Sequence, residues 1–176
     1  MESSVPAAPR RKLDASIGDI DRIVEETRRQ NSPLGIFPAM YRSVTASIDR
    51  AVHAGFFDDS QEIEQLAVVF ADRYIDAYRS WRDDGPVPES WRVAFDAATD
   101  GRSRMITQHL LAGMNAHINL DLGVAAADVA DRGLDGIRSD FLRVNRILFE
   151  KLDSLQDSLG SVSGRMAWID RLGGPV

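Results

Sequence analysis

The sequence predicts an all-α chain, an irregular bundle of about six helices, on three observations. Apolar residues return every three or four positions through Ile63–Trp81 and Ile137–Leu155, the period that gathers them on one helical face. No stretch alternates apolar and polar residues for more than a few positions, as a half-buried strand would. The periodic stretches are separated by Asn31-Ser32-Pro33, Gly55, Gly85-Pro86 and Gly101, residues that end helices and turn the chain. At 176 residues the chain is sized for one domain that buries roughly two-thirds of its unfolded surface.

Residues 1–14 read as a flexible N-terminal arm and 15–176 as a single helical domain. The arm carries Pro6 and Pro9, and its Arg10, Arg11 and Lys12 are expected to be solvated. Ser16 is placed to cap the first helix, with Asp19 near the open amides of its first turn and Ile17, Ile20, Ile23 and Val24 as its apolar stripe. Pro38 suits the first turn of a second helix, whose Tyr41, Val44, Ile48 and Val52 face inward. Asp59 followed three positions later by Glu62 is an N-terminal capping arrangement. It opens a third helix with Ile63, Leu66, Phe70, Tyr74, Ala77 and Trp81 on one face, which Val68 and Val69 widen enough to meet more than one neighbour.

Pro88 opens a short fourth helix held by Trp91, Phe95 and Ala98. The fifth begins near Arg102, is strongly apolar at Ile106, Leu110, Leu111, Met114 and Ile118, and is expected to weaken around Gly123. Within it Gly113 admits a neighbouring backbone or a ligand. After Gly133 and Gly136 a last helix presents Ile137, Phe141, Val144, Leu148, Leu152 and Leu155. Beyond Gly160 and Gly164, the residues Met166, Trp168 and Ile169 are suited to dock the tail.

Composition narrows the function classes. Lys and Arg number 21 against 27 Asp and Glu, a net charge of −6, which argues against a broad nucleic-acid or anionic-lipid footprint. The absence of cysteine excludes disulfides, thiolate nucleophiles and thiolate metal sites. No apolar run reaches the length of a membrane span and the N-terminus lacks a secretory pattern, so a cytoplasmic location is expected. There is no Gly-rich phosphate loop and no HExxH motif. Trp81, Trp91 and Trp168 read as packing anchors before cofactor stackers, and neither an organic cofactor nor a metal is expected.

The chemistry-bearing string is Gln108–Asp121. At about 100° per residue, Gln108, Asn115 and Asn119 gather on one edge of the helix and His117 and Asp121 on another, with Leu111, Met114 and Ile118 between them. In one reading these groups form a buried polar network, since a polar group buried without a partner costs about 1–3 kcal/mol. In the other, His117 is an acid/base residue and Asp121, one turn on, orients its ring and selects its tautomer. Gly113, one turn before His117, would leave room for a small molecule. His109 stands about 12 Å from His117 along an ideal helix and belongs to a different layer. His53 is expected at a helix end or the surface. Arg73, with Asp72 and Asp76 beside it, either pairs with a carboxylate across the core or holds an anionic substrate. Asn145 offers an internal hydrogen-bond partner.

The strings VVFADRY at Val68–Tyr74, SWRVAFDAA at Ser90–Ala98 and QHLLAGMNAHINLDLGVAAA at Gln108–Ala127 together resemble an uncharacterised actinobacterial family of all-helical proteins, domain of unknown function 5995, over about residues 37–170. The resemblance implies the same single-domain organisation and makes Arg73, His109, Asn115, His117, Asn119, Asp121 and Asn145 members of a shared polar pocket. It implies no defined reaction or cofactor. The chain departs from a family-like VVFANRY in carrying Asp72, an added anion near Arg73. It also ends soon after Asp170 where family members often look longer, so a role of a further helix would fall to another copy, and a homo-oligomer is compatible. The expectation from these residues is a small-molecule-transforming accessory enzyme using histidine-centred proton transfer, with cyclisation or isomerisation compatible. The alternative is a noncatalytic small-molecule-binding or structural protein.

Overall fold

Each of the first three helices stops at a residue with positive φ: Asn31 (52°), Gly55 (67°) and Asp84 (54°). In the computed structural model, which describes residues 11–100, 106–129 and 138–161 and the side chains of 11–100, 108–118, 121–128 and 138–151, helix α1 runs Leu13–Arg29, α2 Ile36–His53 and α3 Ser60–Arg82. All three ends close in the same way. The left-handed residue returns its N–H to the third carbonyl back and its successor to the fifth, as with Gly55 to Val52 (3.1 Å) and Phe56 to Ala51 (3.0 Å), which satisfies carbonyls the helix leaves open. Glycine enters this conformation freely, whereas Asn31 and Asp84 bear a Cβ there.

Helix α1 starts at Leu13, inside the stretch expected to be an arm, because Leu13 is fully buried. Ser16 is therefore not the cap. It lies within the helix, fully buried, and its hydroxyl donates to Asp72 at 3.3 Å. Arg11 is not simply solvated either: it pairs with Asp19 and with Asp72 at 2.7 Å. Asp72 thus serves Arg11 and Ser16. Asp19 in turn gathers Arg11, Arg22 and Arg79, and although burial pushes its pKa up, the arginines hold it below the usual carboxylate range.

A short 3-10 turn at Pro33–Gly35 leads into α2, with Pro38 in its first turn and Tyr41, Val44 and Ile48 buried. His53 ends that helix and is exposed. Asp59 caps α3 by accepting the Glu62 N–H at 3.0 Å. Buried Val68 and half-buried Val69 let α3 touch several elements, among them α1, α2, α4 (Glu89–Thr99) and α6 (Leu122–Val129).

Helix α5 (Ile106–Ala116) does not weaken at Gly123. It passes through one π-helical turn, His117–Asp121, and continues as α6. The Leu122 N–H donates to the His117 carbonyl, five residues back, so one extra residue is accommodated and the side chains beyond it are re-aimed. Helix α7 (Arg138–Ser161) packs on α2. Its first turn is fastened by buried Asp140, which accepts the backbone N–H groups of Asp58 (2.9 Å) and Asp59 (2.8 Å). Arg143 braces the joint through Asp140 at 2.7 Å and Asp58 at 2.8 Å.

The described residues form seven α-helices, the 3-10 turn and the π turn, with no strand among them, so the chain is an all-α irregular bundle. No described helix is long and apolar enough to cross a membrane. The expectations for Arg10, Gly101, Arg102, Gly133, Gly136, Ile137, Gly164 and the tail at Met166, Trp168 and Ile169 fall outside the described residues, as do the side chains of Leu152 and Leu155.

Candidate functional site

Asp121 is a buried carboxylate with three side-chain partners. It is 1% exposed, and three elements reach it. Arg73 of α3 donates Nε–H to Oδ1 at 2.9 Å, Trp91 of α4 donates its indole N–H to Oδ2 at 2.7 Å, and His117, at the other end of the π turn, places Nδ1 3.2 Å from Oδ2. Burial opposes its charge, but the hydrogen bonds from His117, Trp91 and Arg73 win and hold its pKa below the usual value. An ionised carboxylate can only accept, so His117 must carry its proton on Nδ1. That choice of tautomer leaves Nε2 with a bare lone pair.

His117 is itself 2% exposed and sits in an aromatic box. The Phe70 ring stacks on it with centroids 3.6 Å apart and planes 8° from parallel, and Tyr41 meets it edge-on at 4.4 Å. Phe37 and Trp91 complete the enclosure at 5.6 and 5.7 Å. Burial among these rings outweighs the pull of Asp121 and pushes the imidazole pKa down to about 4, so the ring is neutral at pH 7. Nε2 is buried and has no hydrogen-bond partner among the described residues. An orphaned acceptor in such surroundings is costly and calls for an explanation.

The explanation is spatial. His117 forms part of the wall of a half-open cleft of about 60 Å³ between α2, α3, α7 and the α5–α6 helix. His117 belongs to that wall, while its Nδ1 is turned to Asp121, which does not. The remaining lining of the cleft is almost entirely apolar, including Met40, Val44, Leu66 and Met114, and the other polar side chains there are Thr45 and Asn145. Thr45 donates its hydroxyl to the Tyr41 carbonyl at 2.9 Å. Asn145 and its neighbours Val144 and Leu148 form the α7 rim.

Of the residues expected to share a site, His117, Asp121 and Arg73 converge, and Asn145 shares the cleft with His117. Arg73 takes the first of its two expected roles, pairing across the core. His109 is buried but faces the other side of the Phe37 ring, in a separate cavity of about 20 Å³ with Trp91. Asn115 is exposed, so it does not join a buried pocket; the π turn begins two residues later, and an ideal helical wheel drawn across it misplaces one polar edge against the other. The side chain of Asn119 lies outside the described residues. The space at Gly113 is not free for a small molecule, because a Cβ there would stand 2.6 Å from the Phe37 ring. Trp91, which reads as a packing anchor before a cofactor stacker, hydrogen-bonds Asp121, and Phe70 and Tyr41, which read as inward-facing residues of their helices, enclose the imidazole. Their pairing with His117 crosses helices and leaves no mark in linear spacing. Among the described residues no three His, Asp or Glu side chains gather as a metal site requires.

Residues 13–176 match the model of a Family of unknown function (DUF5995). No curated protein and no solved structure matches the chain.

Proposed function

The chain belongs to the DUF5995 family, and from that premise we propose that the protein binds an apolar small molecule in the cleft between α2, α3 and α7, with His117 Nε2 as the polar anchor. One observation carries the reading: His117, whose buried Nε2 has no hydrogen-bond partner among the described residues, lines a cleft that is apolar apart from Thr45 and Asn145. Ligand sites have this makeup, a mostly apolar wall with a few polar groups that fix orientation. The enclosed space is well below the roughly 300–1,000 Å³ of a drug-sized pocket, so the occupant is slender and part of it lies along the open rim.

Proton transfer at the same nitrogen is the second reading, favoured by the Asp121–His117 pair, which holds one tautomer as a general base requires. A base whose pKa lies near 4 is weak at neutral pH, and this places ligand binding ahead of cyclisation or isomerisation. Cytoplasmic location and self-association belong to the same proposal; sedimentation over a wide concentration range tests the latter.

Titration with 1,6-diphenylhexatriene, a neutral, rod-shaped apolar dye without a hydrogen-bonding group, tests the binding reading. Its fluorescence rises saturably with wild-type protein and not with Val144→Trp, which narrows the α7 rim. Equal signals from both proteins would reject the cleft as the site.

A further inference from the structure

We propose that the cleft is specific for a slender aliphatic molecule carrying a hydroxyl group, which donates its proton in a hydrogen bond to His117 Nε2. The inference rests on the binding reading above and adds the chemical class of the ligand.

The polar end must be a donor. His117 Nδ1 faces Asp121 Oδ2 at 3.2 Å, and because that carboxylate also takes Trp91 and Arg73, the ring is fixed in one orientation and one tautomer. Nε2 can then only accept. An ether, ketone or ester oxygen offers it nothing, and two acceptors facing each other in a dry site repel.

The ligand must also be uncharged. Among the described residues no Arg, Lys, Asp or Glu lines the cleft. Arg73, the cation nearest in the network, donates Nε–H to Asp121, which itself is not part of the cleft wall. An anion would therefore enter apolar surroundings with no cation to meet it, and an ammonium would lack a carboxylate, so either would lose its hydration without compensation. The rest of the molecule is aliphatic and narrow, since apart from His117, Thr45 and Asn145 the lining is made of aliphatic, Met and aromatic side chains and the enclosed part measures about 60 Å³.

The experiment displaces diphenylhexatriene from the full-length protein with four probes of eight carbons each: 1-octanol, its isomer 1-methoxyheptane, octanoate and octylammonium. The ether keeps size and apolar area and lacks only the donor. 1-Octanol should displace the dye about ten-fold better than the ether, the value of one buried hydrogen bond, and better than either ion. In His117→Phe, which keeps a ring in the aromatic box, the alcohol and the ether should fall within about two-fold of each other. Equal displacement by alcohol and ether in the wild type would overturn the inference, as would tighter binding of octanoate or octylammonium, or an alcohol preference that survives in His117→Phe. Because the wild-type order is read without any variant, the test stands even where His117→Phe folds poorly. Failure of diphenylhexatriene to bind saturably would instead reject the binding reading itself, so the two failures are distinct.

Discussion

His117 Nδ1 and Asp121 Oδ2 lie 3.2 Å apart at the two ends of a single π-helical turn. In a regular helix residues four apart also neighbour each other, but here the widened turn sets the pair between α3 and α4, where Arg73 and Trp91 complete the carboxylate's shell. One backbone irregularity thus joins a charged network to the wall of a mostly apolar cleft.

Acid weakens the fold through His117. The folded-state pKa is about 4 against roughly 6.5 in an unfolded chain, so between these values the unfolded state binds more protons and stability falls as pH is lowered. The loss is about 3 kcal/mol across that window and levels off below it. The depressed pKa of Asp121 adds to the loss at still lower pH. Urea unfolding between pH 7 and 4 should show this slope in the wild type and a much shallower one in His117→Phe; parallel curves would contradict it.

Gly113→Ala should destabilise, although alanine is the better helix former by about 0.5–1 kcal/mol at an open helical position. The new methyl would meet the Phe37 ring at 2.6 Å and the Phe37 Cβ at 2.9 Å, and Phe37 is wedged against Tyr74, Trp91 and His117. Overpacking of this kind costs about 1–3 kcal/mol. A lowered urea midpoint with unchanged slope is the expected result, and a raised midpoint would mean that Phe37 moves aside freely.

Asp140→Ala should loosen α7 while leaving the α1–α2–α3 core in place. The change strips the acceptors from the Asp58 and Asp59 amides and a partner from Arg143. Hydrogen exchange should accelerate at residues 58 and 59 and along α7, which forms one rim of the cleft, with Ile63–Tyr78 of α3 retaining its protection. Uniform acceleration across all helices would show that α7 is not a separable unit.

Much of this architecture is legible in linear order because helix faces repeat locally. Ile63, Leu66 and Tyr74 are buried as their spacing requires, the Asp59 cap forms, and the breaks at Asn31, Gly55 and Asp84 are where turn chemistry puts them. The His117–Asp121 contact is legible for the same reason, being one turn long. What spacing does not carry is the π turn, whose extra residue re-aims the side chains beyond it, and contacts between distant segments. Trp91 reaches Asp121 across 30 positions and Asp140 reaches Asp58 across 82. The Gly113 notch was legible as a notch; its occupant, Phe37, was not, because an aromatic side chain 76 residues away fills it as well as a ligand would.

The most direct test of the account is the nitrogen spectrum of the His117 ring at pH 7, read by long-range proton–nitrogen correlation on labelled wild-type protein with and without 1-octanol. The account predicts a neutral ring with its proton on Nδ1, an Nε2 resonance typical of a free lone pair, and a shift of Nε2 alone as the alcohol saturates the cleft. A protonated ring, a proton on Nε2, or an Nε2 resonance that stays fixed while the alcohol binds would contradict it.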